Sequence, residues 1–144
     1  MKRNFTLTRF IKVEKNLTYK EIANFKNYVN FIPGCISADL IEKNNEFEIG
    51  ELKFDFMLRS YSIRSKNILE NNSIKIQQIE GPFEYFDGEW TLKSKKKDLT
   101  EIRFDAEFKL PFLLDNLLLD RAINIFIEGA MEAFIKRLET VTES

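Results

Sequence analysis

The end of this chain constrains everything before it. From about Asp115 to Thr142, the residues Leu119, Ile123, Phe126, Ala130, Phe134, Leu138 and Val141 recur at helical spacing. A second apolar line, Leu118, Ala122, Ile125 or Ile127, Met131 and Ile135, widens the stripe. Asp120, Arg121, Asn124, Glu128, Glu132, Lys136 and Glu139 take the wet side. The span is about 28 residues, roughly 40 Å of helix. A stripe this wide covers a broad surface rather than one partner helix. Just ahead of it, Glu101–Leu110 alternates cleanly. Ile102, Phe104, Ala106, Phe108 and Leu110 take one face, and Glu101, Arg103, Asp105, Glu107 and Lys109 take the other. Such alternation marks an antiparallel sheet with one wet face. Together the two stretches predict one long helix held by a curved sheet.

The remaining stretches supply the sheet. Residues 4–13 read as a strand with Phe5, Leu7, Ile11 and Val13 inward. Arg9 interrupts that face, either at the sheet rim or reaching into a cavity. Thr18 and Glu21 have the spacing of a capping box, with Leu17 and Ile22 as a hydrophobic staple. One helix or two short ones should follow between about 18 and 32, before Pro33-Gly34 stops them. Ser37–Glu42, Phe47–Leu58, Arg59–Asn67 and Ser73–Glu80 then read as strands. Asn44-Asn45 and Asn71-Asn72 mark turns, and Gly81-Pro82 breaks the register. Phe86, Gly88, Trp90 and Leu92 share a face of the next strand, and Lys93–Asp98 reads as a charged turn. The order is strand, short helices, about six strands, long helix: one α+β domain over residues 1–144.

Composition removes several function classes. The sequence has no His, which excludes imidazole ligands and the Ser-His-Asp arrangement. Cys35 stands alone, so no internal disulfide forms and a reducing compartment fits. The net charge of -1 gives the whole protein no pull on nucleic acid. Nothing near the start reads as a leader, and no run is apolar enough to span a membrane, so a cytoplasmic protein is expected. The extended spacing of Asp55, Glu80 and Asp105 does not place them in one pocket, Asp105 in particular alternating outward, and no Gly-rich phosphate loop or metal-ligand spacing is present. No enzyme activity, catalytic residue, metal site or required cofactor is expected.

Three stretches together resemble a known family. They are Tyr28-Val29-Asn30-Phe31-Ile32-Pro33-Gly34-Cys35, then Gly81-Pro82-Phe83 with Phe86, Gly88 and Trp90, then Phe126, Met131, Ala133, Phe134 and Arg137. In that order they resemble the coenzyme Q-binding and ribosome-association-toxin family of the START-like, polyketide-cyclase-like superfamily. Val29 stands where the family usually has Pro, and Asn24 where it often has Asp. The resemblance implies a helix-grip fold: a seven-stranded antiparallel sheet around the long helix, with two short helices after the first strand. The wider superfamily's cyclase activity is not carried over.

Three candidate sites follow. Phe54, Phe56, Leu58, Trp90, Phe104, Phe108, Ile123, Phe126, Ala130 and Met131 either line an apolar ligand cavity or fill an ordinary core. Pro33, Gly34, Phe83 and Phe86 would border its entrance. Phe112-Leu113-Leu114 and Leu117-Leu118-Leu119 would form a gate, touch a bilayer, or pack on the short helices. Lys93, Lys95, Lys96 and Lys97 would either meet RNA phosphate or make a solvated turn that blocks edge pairing. The resemblance implies non-catalytic binding of a hydrophobic small molecule, a polyprenyl quinone or related lipid, with transient contact to the inner membrane surface. Arg9 or Tyr61 would orient its head. The alternative it implies is association with the large ribosomal subunit, modulating how subunits join.

Overall fold

The computed structural model describes residues 2–56, 58–111 and 117–143, the side chains of 117–120 and 141–143 excepted. Strand β1 (Lys2–Ile11) leads into helix α1 (Lys15–Ala23) and a 3-10 helix (Phe25–Asn30). Six strands follow: β2 (Cys35–Lys43), β3 (Glu48–Phe56), β4 (Arg59–Leu69), β5 (Ser73–Glu80), β6 (Tyr85–Lys96) and β7 (Leu99–Lys109). Helix α2 (Leu117–Glu143) ends the chain. The strands form one antiparallel sheet in the order β1-β7-β6-β5-β4-β3-β2. The helix-grip expectation holds, including seven strands and two short helices after the first.

Alternation decides which face is inner. Phe5, Leu7 and Ile11 of β1 are buried, as are Ile102, Phe104, Ala106 and Phe108 of β7 and Trp90 and Leu92 of β6. Against them α2 sets Ile123, Met131, Phe134 and Leu138, all buried, while Ile125 is 63% exposed, which leaves Ile127 to pack on the core. Arg9 sits at the rim, where its Nε donates to Glu132 Oε1 of α2 at 2.9 Å. The short helical segments pack through Ile22 and Phe25. Gly50 is the seat for Phe25: a Cβ there would come within 2.5 Å of the Phe25 ring.

Four expectations need correction. Thr18 is not an N-cap. Helix α1 starts at Lys15 with Glu14 before it, and the Thr18 hydroxyl donates to the Glu14 carbonyl at 2.9 Å from inside the helix. Leu17 therefore lies within α1 and is exposed, so no staple with Ile22 forms. Strand β6 runs on through a bulge to Lys96, so the charged turn is shorter than 93–98. Leu58 belongs to the turn between β3 and β4, at φ +67°, and is fully exposed at 106%. The turn ends the alternation that had placed Leu58 with Phe54 and Phe56. The gate residues Phe112-Leu113-Leu114 lie outside the described residues, as do the side chains of Leu117, Leu118, Leu119 and Val141.

Phe134 should be the most costly single truncation in α2. Phe134→Ala is expected to cost about 3–5 kcal/mol in urea unfolding. Ile125→Ala should stay within about 0.5 kcal/mol.

Candidate functional site

Strand pairing sorts the candidate residues between the two ends of the sheet. One end carries the start of β1, the end of β7 and the start of β6, through the pairs Lys2↔Lys109 and Tyr85↔Lys109. The end of β5, the β3–β4 turn and the start of β2 lie at that end too. Pro33, Gly34, Phe83 and Phe86 all lie there. The other end carries the close of β1 and the β6–β7 hairpin with its lysines. The expected entrance and the expected RNA contact are therefore at opposite ends of the strands.

At the first end, Gly34 is held against β3. Its carbonyl accepts from the Asp55 N–H at 2.8 Å. Its φ is +83°, and a Cβ would meet the Asp55 carbonyl oxygen at 2.9 Å, so glycine is required. Next to it, Phe54 lies 5.5 Å and Phe56 5.6 Å from Phe126, ring centre to ring centre. Tyr61 stacks on Phe54 at 5.9 Å. Phe83 and Phe86 are not beside Gly34 in this nest. They pack with Phe108, 5.5 and 5.9 Å away. Gln78 fixes the bend before them, its Nε2 donating to the Phe83 carbonyl at 2.8 Å.

The middle of the inner face is filled by a third nest. Phe134 meets Tyr28 at 4.9 Å, Phe31 at 5.1 Å and Trp90 at 5.3 Å, each edge to face. Trp90 in turn touches Phe104 at 4.8 Å. Ile123 and Met131 are buried alongside, and Ala130 is half-buried. A cavity of about 60 Å³ remains under the short helices, bounded by Ile22, Phe25, Gly50, Leu52, Ile74 and Trp90. Of the ten residues expected to line a ligand cavity, Trp90 borders this space. It is far below the roughly 300–1,000 Å³ of a small-molecule site. A larger open groove of about 570 Å³ lies on the opposite face of the sheet. Charged side chains of Lys66, Lys75, Asp87, Glu89, Asp105 and Glu107 border it together with the apolar Ile68, and it is open to solvent on the outer face.

Asp55 and Asp105 each have their own separate partners. Asp55 accepts from Ser60 at 2.6 Å, and Asp105 on the outer face accepts from Thr6 at 2.8 Å and Arg103 at 2.9 Å. Burial pushes the Asp105 carboxyl up, but these hydrogen bonds and the Arg103 charge outweigh it and hold it below its ordinary value. Burial pushes the Cys35 thiol up, so it is not an activated nucleophile. Among the described residues no three acidic or thiol groups are placed to hold a metal ion. No helix among them is long and apolar enough to cross a membrane.

Residues 11–135 match the family described as polyketide cyclase/dehydrase and lipid transport. The chain belongs to that family. Within its fold, the Zhui aromatase/cyclase of Streptomyces sp. R1128 superposes with a TM-score of 0.88 at 16% identity, over 96% of this chain and 94% of that one. A START superfamily protein of Mycobacterium smegmatis gives 0.86 at 12% identity, over 96% and 98%. Among curated proteins, the ribosome association toxin RatA of Rickettsia prowazekii is 27% identical over 143 residues, 96% of this chain and 97% of that protein. The persistence and stress-resistance toxin PasT of Escherichia coli O6:H1 is 22% identical over 135 residues, 93% and 85%.

Tyr28 gives this family member a pH signature. Its hydroxyl donates to the Ile22 carbonyl, and burial, then the Glu21 carboxylate, push its ionisation far above the ordinary 10.0. The folded chain keeps that proton where the unfolded chain releases it. The resulting stability is complete below pH 10 and is lost as pH rises beyond it. Tyr28→Phe should cost about 1 kcal/mol at neutral pH. It should also lessen the alkaline fall without abolishing it, because burial and Glu70 raise Tyr19 as well. Thermal melts between neutral pH and pH 11 check both parts.

Proposed function

We propose that this protein works without catalysing a reaction, by associating with the ribosome, and that the large subunit is its partner. The observation that carries this reading is the end-to-end match to a protein named for ribosome association, covering 96% of this chain and 97% of that one. The PasT match has a compatible span. The fold likeness to aromatase/cyclases rests on 16% identity and transfers no chemistry.

A second reading is binding of a hydrophobic small molecule, a polyprenyl quinone or related lipid. The half-buried nest of Phe54, Phe56, Tyr61 and Phe126 beside Gly34 favours it. Phe83 and Phe86, packed on Phe108, would flank a tail at the same end of the sheet. The space of about 60 Å³ under the short helices is too small for such a molecule, so α2 would have to move away from the sheet to admit it. That requirement ranks this reading second. A transient membrane contact belongs to it, at the end carrying Pro33 and the exposed Leu58.

Sucrose-gradient sedimentation with purified subunits at physiological salt tests the first reading. The protein should travel with the large subunit, and excess protein should change the proportion of joined subunits. Absence from every ribosomal fraction, with joining unchanged, sinks the proposal.

A further inference from the structure

Phe10 is the exposed one among the described phenylalanines, at 58%. A single exposed apolar side chain is ordinary. Its surroundings are what matter. Phe10 stands on the outer face of β1, opposite Glu101 of β7, and Glu101 stands opposite Lys93 of β6. Phe10 and Lys93 are thus two strand spacings apart, about 10 Å, on one face. Lys12 follows β1, and Lys95, Lys96 and Lys97 complete the adjoining hairpin, all of them exposed. Glu14, Asp98 and Glu101 are the acids of that corner, Glu14 following Val13, whose carbonyl accepts from the Thr100 hydroxyl. None of the five lysines is held in an ion pair among the described residues. One row further in, Arg103 and Asp105 neutralise each other at 2.9 Å. The corner therefore has a surplus of free positive charge around one exposed aromatic ring.

We propose that this corner of the outer sheet face binds unpaired RNA, with a base stacked on Phe10 and the flanking phosphates held by Lys12 and the lysines of the β6–β7 hairpin. Stacking platforms set in positive surroundings are the general means of holding single strands. The ring-to-lysine spacing suits a base and its neighbouring phosphates. A bilayer is a poorer fit. Inserting Phe10 would carry the Glu101 carboxylate and Thr8 toward hydrocarbon, and Phe10 is the one exposed large apolar side chain of β1, β6 and β7 among the described residues. The inference deepens the ribosomal reading and rests on it for the choice of RNA as partner.

The test is fluorescence anisotropy with a labelled mixed-sequence single-stranded RNA of about a dozen nucleotides. Duplex RNA and anionic lipid vesicles are measured in parallel. Wild type should bind the single strand best. Phe10→Ala should weaken binding about fivefold or more with the salt slope unchanged, and Phe10→Trp should restore it. Lys93→Glu with Lys95→Glu should weaken binding and flatten the slope by about 0.7 for each phosphate that is no longer neutralised. Melting curves of all variants should match wild type, because the replaced side chains are exposed. Three results would overturn the proposal: no RNA binding by wild type, Phe10→Ala within about twofold of it, or vesicle binding that these variants lose while RNA does not bind. Sedimentation separates this from the broader reading. If wild type and all variants travel equally with the large subunit, ribosome association stands and this surface does not. If RNA binds as expected but no subunit does, the surface stands and the ribosomal reading falls.

Discussion

Phe134 holds the parts of this protein together. One ring on α2 meets Tyr28 and Phe31 from the short helical segment and Trp90 from the sheet. Three elements far apart in sequence thus meet at one side chain. The sheet alone would leave the apolar faces of β1, β6 and β7 open to water, and α2 alone would leave its stripe open. Each exists as a packed element because the other covers it. The Tyr28 hydroxyl ties the same ring system back to α1 through the Ile22 carbonyl. Arg9 with Glu132 adds an ion pair at the margin, exposed enough to contribute little, and Arg137 Nε lies 3.7 Å from Glu21 Oε1.

A packed centre bears on function. Aromatic nests fill the inner face at the sheet end near Gly34 and in the middle, and the space left under the short helices is about 60 Å³. Fold relatives named as cyclases share the frame, but a shared frame carries no chemistry with it. The surfaces of this chain then become the natural place to look for activity. Its two ends differ in charge: lysines collect on the β6–β7 hairpin, while the fully exposed Leu58 marks the β3–β4 turn at the other end.

Much of this was legible in the sequence because periodicity reports burial directly. Every inward residue expected in β7 is buried, and the stripe on α2 is buried at Ile123, Met131, Phe134 and Leu138. What failed lay where a local event resets the period. Leu58 looked like the next inward residue after Phe56, but a turn intervenes there with Leu at positive φ, and no Gly or Asn advertised it. Thr18 had the spacing of a cap, yet a Thr that donates to the carbonyl four residues back has the same sequence neighbourhood. The bulge between Ser94 and Lys96 carried β6 further than its charges implied. Phe10 was missed for a different reason. The alternation that puts Arg9 on the inner face puts Phe10 on the outer one, and only strand pairing brings it near Lys93. Likewise no local signal marks Gly50 as the seat of Phe25, because the contact joins β3 to the 3-10 helix.

We propose that the inner face, among the described residues, is taken up by packing and that the protein acts through its exterior. Native mass spectrometry of protein purified gently from cells, followed by organic extraction, tests this most directly. The account predicts the bare mass of the 17.1 kDa chain and an extract with no stoichiometric lipid. A hydrophobic molecule retained at one per chain, and released only on unfolding, would contradict it.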